Sequence, residues 1–325
     1  MNNLNSQLFA KEVEQVATRQ GYGEGLVVAG EADDRVVVLC ADLTESTKSD
    51  LFKKRFPERF VEIGVAEQNL ATIAAGMANY GKIPFISSYA AFSPGRNWEQ
   101  IRTTIALNDL PVKIAGAHAG LTVGPDGATH QMLEDLALMR AMPNMTVVYP
   151  CDALEARKAT VAAATTKHPV YLRLAREKTP LITTTDSPFK IGHAEMLADY
   201  GQDAAIIACG PLVFQALVAA KELAKEGVKV TVVNCHTLKP LDKPTLLKVA
   251  RDCRAIVTVE EHQVHGGLGG AVAELLAANL PTPIEFVGMP DHFGESGQPE
   301  ELLAKYHMDT PAIKSAVRRV RARKK

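Results

Sequence analysis

Short apolar runs rich in β-branched residues alternate with helix-period segments along the chain. This alternation predicts parallel sheets covered by helices. In the first part, the predicted strands are 36–40, 60–63, 84–87, 112–117, 146–149 and 170–174. The predicted helices carry Ala, Leu, Ile and Met at helical spacing and are 66–79, 97–107, 131–140 and 153–165.

The pattern stops in EKTPLITTTDSPFK, where two prolines and a Thr/Ser cluster predict a linker. It then restarts with predicted strands 204–209, 228–233, 255–259 and 284–287 and predicted helices 212–226, 243–250 and 269–279. A chain of 325 residues exceeds the usual size of one core. We therefore predict an α/β protein of two doubly wound domains with mainly parallel sheets, residues 1–178 and 191–325, joined by linker 179–190.

The charges are balanced, with 36 basic and 37 acidic residues and a net charge of -1. This argues against nucleic acid or an anionic membrane as a partner. A basic run at residues 318–325 is interpreted as the solvated end of a last helix.

Five cysteines occur without a C-x-x-C pair, and Cys40, Cys209 and Cys235 lie in or beside apolar runs. We expect buried free thiols in a reducing compartment. The first residues lack an apolar core of signal-peptide length, and no stretch approaches the roughly 20 apolar residues of a membrane span. The expected location is the cytoplasm.

Two polar segments follow predicted strands, where open α/β sheets bind ligands. In FVEIGVAEQN, Glu67 opens a helix, although an acidic residue there also complements the helix dipole. In HAGLTVGPDGATH, His118, Asp126 and His130 can exchange protons or bind hydroxyls, or the segment is a turn shaped by its glycines.

Other segments have competing interpretations. The aromatic cluster at 85–92 suits ring stacking or core packing. Arg173 and Arg176 suit phosphate binding or a solvated strand end. The glycine run at 265–270 does not fit G-x-G-x-x-G and indicates helix-to-strand packing. His262 and His265 lack a third metal ligand, so we expect no metal site in this chain.

Three segments resemble the pyrimidine-binding domain of transketolases, a family of thiamine diphosphate enzymes. They are RFPERFVEIGVAEQN, PFISSYAAF and the run from His118 through GPDGATHQMLED, in that order. Residues 233–242 and 257–267 resemble the C-terminal domain of the same family. The resemblance covers essentially the whole chain and implies transfer of a ketol group from a ketose phosphate to an aldose phosphate.

The resemblance also implies roles by position. Glu67 matches the catalytic glutamate that hydrogen-bonds N1′ of the cofactor's aminopyrimidine, and Tyr89 matches the ring that stacks on it. Phe85, Phe92 and Asp42 match other cofactor-site positions. The sugar phosphate's phosphate is matched by Arg19, Ser46, His118 and Arg176. Asp126 and His130 match residues that contact the substrate's hydroxyls near the reacting carbon. The catalytic residues that the resemblance implies are Glu67, His118 and His130.

Full-length transketolases begin with a domain that binds the diphosphate through Mg²⁺ or Ca²⁺, using Gly-Asp-Gly and a downstream Asn. That pattern is missing here. We therefore expect a partner subunit that carries this domain and the metal ligands, in an α2β2 assembly with a β–β contact, and no activity of this chain alone.

Three alternatives stay open. A 1-deoxyxylulose-5-phosphate synthase usually has Arg where His118 stands. The β subunits of 2-oxoacid dehydrogenases lack the GPDGATH run in this form. A non-catalytic scaffold subunit would generally have lost the acid or the histidines.

Overall fold

The computed structural model describes residues 4–324. Residues 1–3 and 325, which the predicted domains and the basic run include, lie outside that range. The described strands, in chain order, are β1 (Gln15–Ala17), β2 (Val36–Cys40), β3 (Phe60–Glu62), β4 (Ile83–Tyr89), β5 (Lys113–Ala117), β6 (Thr146–Val148), β7 (Val170–Arg173), β8 (Lys178–Pro180), β9 (Glu195–Asp199), β10 (Ala204–Ala208), β11 (Val230–Asn234), β12 (Thr237–Lys239), β13 (Ile256–Gln263) and β14 (Ile284–Met289).

The α-helices are α1 (Thr18–Ala32), α2 (Asp50–Arg55), α3 (Glu67–Asn79), α4 (Trp98–Gln100), α5 (Asp135–Ala141), α6 (Ala153–Ala164), α7 (Leu212–Lys225), α8 (Lys243–Cys253), α9 (Leu268–Asn279), α10 (Pro299–Lys305) and α11 (Thr310–Ala322). Helix α4 continues as the π-helix Ile101–Ala106. Two 3-10 segments span Pro57–Arg59 and Leu121–Asp126.

The larger sheet has seven strands in the order β12-β6-β7-β5-β4-β2-β3. All neighbours pair in parallel except β12 with β6. Strand β2 is buried along its whole length, which explains why VVVLC is a continuous apolar run. The predicted parallel sheet in the first half is confirmed.

The smaller sheet has the order β14-β13-β10-β11-β9, with only β9 antiparallel. Its apolar core includes α7 and α11 residues such as Val213, Leu217 and Val317. The fold class, α/β with mainly parallel sheets, is therefore confirmed.

Strand β12 was not predicted and joins the two halves. It follows β11 in the chain but pairs antiparallel with β6 of the larger sheet, with Thr237 opposite Val148. A three-residue edge strand has too little pattern to show which sheet it joins. The second half thus completes the sheet of the first half.

Two further expectations differ from the structure. The helix expected over 131–140 begins only at Asp135, because Gln131 is part of the preceding loop. Residues 178–180 form β8, which pairs with β1, so the expected linker begins inside a strand.

All five cysteines are free and buried, as expected for Cys40, Cys209 and Cys235. Within residues 4–324, none of the helices combines the length and apolar character needed to cross a membrane.

Candidate functional site

Polar side chains gather at the carboxyl edge of the larger sheet. Asp42 follows β2, Glu67 follows β3, Tyr89 ends β4, His118 follows β5 and Arg176 follows β7. Because these five strands are parallel neighbours, their carboxyl ends share one edge. The structure thus brings residues spread over more than half of the first domain to one region.

Glu67 is the first residue of α3 and is only 4% exposed. Its carbonyl oxygen accepts a hydrogen bond from Asn97 Nδ2 at 2.8 Å. Its carboxylate has no hydrogen-bond partner among residues 4–324. A carboxylate without a protein partner is free to bind a ligand.

The backbone of Asp42 has a φ of 59° and is fixed by a hydrogen bond. Its N–H donates to Glu62 Oε1 at 2.7 Å, and Glu62 also accepts from Thr44 Oγ1 and the Gly64 N–H. Burial alone would raise the pKa of Glu62, but these three hydrogen bonds outweigh it and lower that pKa. The Asp42 side chain is exposed at the edge.

Four rings form a cluster beside these acids. Tyr89 stacks on His118 with 3.9 Å between ring centroids, and Phe92 lies 6.0 Å from Tyr89. The His130 ring meets Phe92 edge-on at 5.5 Å. The structure therefore brings Tyr89, Phe92, His118 and His130 together.

Phe85 does not share that position, which corrects its expected place in the pocket wall. It is fully buried and packs against Tyr22 at 6.5 Å, inside the core between the sheet and α1. Phe85 lies four residues before Tyr89 on the same strand, too far back to reach the open edge.

His118 is 3% exposed and has a φ of 52°. Burial, followed by the charges of Arg19 and Arg176 and by His130, lowers its pKa to about 3. The imidazole is therefore neutral near pH 7. Its Nδ1 is buried without a hydrogen-bond partner in the described chain.

Two arginines flank His118. Arg19 Nη1 donates to the Ser46 carbonyl at 2.7 Å, while Arg19 Nε is buried without a partner in residues 4–324. Arg176 Nη1 donates to the Val123 carbonyl at 3.0 Å and to Glu177 at 2.8 Å. Both arginines line a cleft of about 630 Å³ between the two domains. This arrangement suits an anion.

Arg173 has a different role from either one expected of it. It is fully buried, and its Nε donates to Asp135 Oδ2 at 2.8 Å, which also accepts from Tyr171. Its guanidinium lies 4.4 Å from the Tyr149 ring. Arg173 is an internal ion-pair partner, neither solvated nor open to phosphate.

Asp126 and His130 lie on the loop 120–132. Asp126 is exposed, His130 is partly buried, and His130 Nδ1 is 2.9 Å from Thr129 Oγ1. The loop closes on itself because the Gly120 N–H donates to the Met132 carbonyl at 2.9 Å. The loop places His130 in the ring cluster and leaves Asp126 exposed.

The glycine run at 265–270 serves helix packing, as predicted. The N–H groups of Leu268 and Gly269 both donate to the Glu260 carboxylate at 2.7 Å, so Glu260 satisfies the start of α9. In the described part of the chain, no group of three or more His, Cys, Asp or Glu side chains is arranged to hold a metal ion.

Sequence reasoning missed four residues that fix the site: Glu62, Asn97, Gln131 and Glu261. Each hydrogen-bonds backbone groups of a site segment. Such residues show no motif, because a polar side chain that holds backbone is not distinguishable by spacing from a solvated one.

Fold and site together define a two-domain α/β protein with a ligand site at the carboxyl edge of its larger sheet. Residues 14–181 match the transketolase, pyrimidine binding domain family, and residues 192–313 match the transketolase, C-terminal domain family. The chain therefore belongs to the transketolase family, whose enzymes use thiamine diphosphate.

Three relatives illustrate the likeness. A protein provisionally named as a transketolase C-terminal section, from Methanocaldococcus jannaschii, is 46% identical over 91% of this chain and 93% of its own. The 6-deoxy-6-sulfo-D-fructose transketolase subunit of Clostridium sp. is 38% identical over 98% and 99%. The solved structure of a split-gene transketolase, an inactive β4 tetramer, is 46% identical with a TM-score of 0.90, covering 95% of this chain and 100% of that one.

Proposed function

We propose that this chain is the C-terminal subunit of a split transketolase. It transfers a two-carbon ketol unit from a ketose phosphate to an aldose phosphate, and it works only with a partner subunit. The observation that carries this proposal is that two largely buried residues, Glu67 and His118, lie at one sheet edge, the first with no side-chain partner among residues 4–324 and the second with a buried, unpartnered Nδ1.

The residues at that edge fit the aminopyrimidine half of thiamine diphosphate. When bound, the cofactor supplies the carbanion stabilisation that the protein's side chains lack. Glu67 would hydrogen-bond N1′ of the aminopyrimidine ring, and its low exposure would strengthen such a bond. Tyr89 offers a half-buried ring for stacking, Phe92 lies beside it, and Asp42 borders the site.

The substrate's phosphate is assigned to Arg19, Arg176, Ser46 and His118. The unpartnered Arg19 Nε and the neutral, unpartnered His118 can both donate to phosphate oxygens. Asp126 and His130, on the loop 120–132, are assigned to the sugar hydroxyls. In this assignment Glu67, His118 and His130 are the catalytic residues.

The diphosphate and its Mg²⁺ or Ca²⁺ are assigned to a partner subunit with the N-terminal transketolase domain. Relatives that cover nearly the same length are named as a section or a subunit of a transketolase, and one forms a β4 tetramer. We infer an α2β2 assembly in the cytoplasm with contacts between two copies of this chain. The domains of this chain are assigned to residues 1–178 and 191–325, joined by linker 179–190.

The test is a reconstitution assay with purified subunits. Ketol transfer from xylulose 5-phosphate to ribose 5-phosphate is measured for this chain alone, the partner alone and the mixture, with pyruvate and 6-deoxy-6-sulfo-D-fructose as competing donors. We expect transfer only in the mixture and stoichiometric bound cofactor. Robust transfer by this chain alone would reject the split-enzyme proposal, and a mixture that binds no cofactor would favour a scaffold subunit.

A further inference from the structure

The loop 120–132 is held by the second domain as well as by its own hydrogen bonds. It connects β5 to α5, and Ala119 and Gly120 pair with Met132 at its base. Glu261, on β13 of the smaller sheet, reaches into this base from the other domain. Its Oε1 accepts the Thr122 N–H at 2.5 Å.

The fit between Glu261 and the loop is close. Glu261 is fully buried. Gly120 has a φ of 97°, and a Cβ there would overlap the Glu261 carboxylate. Glycine is thus required at position 120 both for its backbone conformation and for the space that Glu261 occupies.

A second contact supports the other side of the loop. Gln131 is 4% exposed, and its Nε2 donates to the carbonyls of Leu121 at 3.1 Å and Gly124 at 3.3 Å within the loop. The same nitrogen donates to the Glu295 carbonyl of the second domain at 2.9 Å. The loop therefore lies between two segments of that domain.

The second carboxyl oxygen of Glu261, Oε2, is buried with no partner among the described residues. Burial raises the pKa of Glu261, which favours the protonated carboxyl. Protonation at Oε2 leaves Oε1 able to accept from Thr122. A Gln at this position would resemble that protonated state in shape and in hydrogen bonding.

We propose that Glu261 is a positioning residue of the site: its carboxyl group fixes the loop 120–132, which presents Asp126 and His130 and begins two residues after His118, so that the C-terminal domain sets the geometry of substrate binding. This role rests on the function proposed above. Glu261 contacts the loop backbone at Thr122, and the proposed effect on the reaction runs through that contact.

The first test is amide hydrogen exchange on the full chain alone, which needs no partner or cofactor. Glu261→Leu should speed exchange of the Thr122 amide about tenfold or more, because its acceptor is lost. Glu261→Gln keeps an acceptor and should retain protection. The matched control is Glu260→Gln at an adjacent buried position whose two oxygens accept from Leu268 and Gly269 of α9. Gln keeps one of these acceptors, so faster exchange should be confined to one of these two amides.

Unchanged Thr122 exchange in Glu261→Leu, or equal loosening of the loop in Glu260→Gln, would overturn the proposal. Should Glu261→Leu fail to fold, Gly120→Ala disturbs the same contact from the loop side and should give the same faster exchange. Slow Thr122 exchange in folded Gly120→Ala would count equally against the role of Glu261.

The second test uses the complex with the diphosphate-binding partner. Glu261→Leu should lower kcat/KM for the ketose phosphate about ten- to a hundredfold, mainly through KM, and Glu261→Gln should restore it. Normal KM in Glu261→Leu, beside an active wild-type complex, would overturn the positioning role alone. A wild-type complex without ketol transfer would instead refute the proposed function.

Discussion

The two sheets of this protein use their carboxyl edges in different ways. At the edge of the larger sheet, Arg176 and Tyr89 are half-buried and Asp42 is exposed. At the edge of the smaller sheet, Asn234 and Glu261 are fully buried. The Asn234 Nδ2 donates to Glu155 of the first domain at 2.8 Å, as Glu261 accepts from Thr122.

Both edges carry polar groups because strand ends leave side chains beyond the last sheet pairing. What differs is the element that covers them. The larger sheet's edge is left open at Asp42, Tyr89 and Arg176. The smaller sheet's edge is closed by the first domain at Asn234 and Glu261. Substitutions at the open edge should therefore act mainly on activity. Those inside the interface between the domains, or in the buried network beside it, should act on stability, except at Glu261, which contacts the loop 120–132.

The largest effect is expected for Glu67→Gln at the open edge. Loss of the acid to which we assign the cofactor's N1′ should lower kcat of the reconstituted complex about 10²- to 10⁴-fold, with little change in the unfolding midpoint. Steady-state kinetics and thermal unfolding measure the two. Gln68→Ala, at the exposed neighbour on α3, is the control and should keep its activity. Ordinary turnover in Glu67→Gln would remove Glu67 from the mechanism.

The second prediction compares two arginines, Arg173 at the end of β7 and Arg176 three residues after it. Arg173→Met breaks a fully buried ion pair and should cost about 3 kcal/mol of unfolding free energy, because Asp135 loses its cation. Arg176→Met, partly exposed, should cost less than about 1 kcal/mol and instead raise KM for the ketose phosphate. Urea unfolding and kinetics of both variants test the contrast, which fails if the two arginines behave alike.

The same two arginines show which features of the fold and the site can be predicted from the sequence alone. Continuous apolar runs such as VVVLC identify buried parallel strands, so most of both sheets could be predicted. The positions of Glu67 and His118 after strands followed from the pattern too. Whether Arg173 is solvated or buried depends on Asp135 and Tyr149, which are distant in sequence. Contacts such as Glu261 with Thr122 cross domains and leave no local signal.

The third prediction concerns pH at the open edge. The pKa of His118 falls from 6.5 to about 3 in the folded chain. Between these values the unfolded chain binds a proton that the folded chain does not, so stability is lost as the pH falls. Between pH 6.5 and pH 5 the titration of His118 should lower the free energy of unfolding by about 2 kcal/mol. His118→Gln should lose less stability over that range in urea unfolding; an unchanged slope would show that His118 is not buried and neutral.

The stability of the interface between the domains, where Asn234 contacts Glu155, should depend on pH in the opposite sense. Burial, followed by the charge of Asp152, raises the pKa of Glu155 from 4.5 to about 7, and Asn234 of the second domain donates to it. Between these values the folded chain holds a proton that the unfolded chain releases, so this contribution to stability is present below pH 4.5 and lost as the pH rises to 7. Between pH 5.5 and pH 6.5 the titration of Glu155 should lower the free energy of unfolding of the wild-type chain by about 1 kcal/mol, and Glu155→Gln should not show this decrease. Urea unfolding at both pH values, with the exposed Glu24→Gln as control, tests this, and a Glu155→Gln variant with the wild-type slope would show that the two edges do not differ in this way.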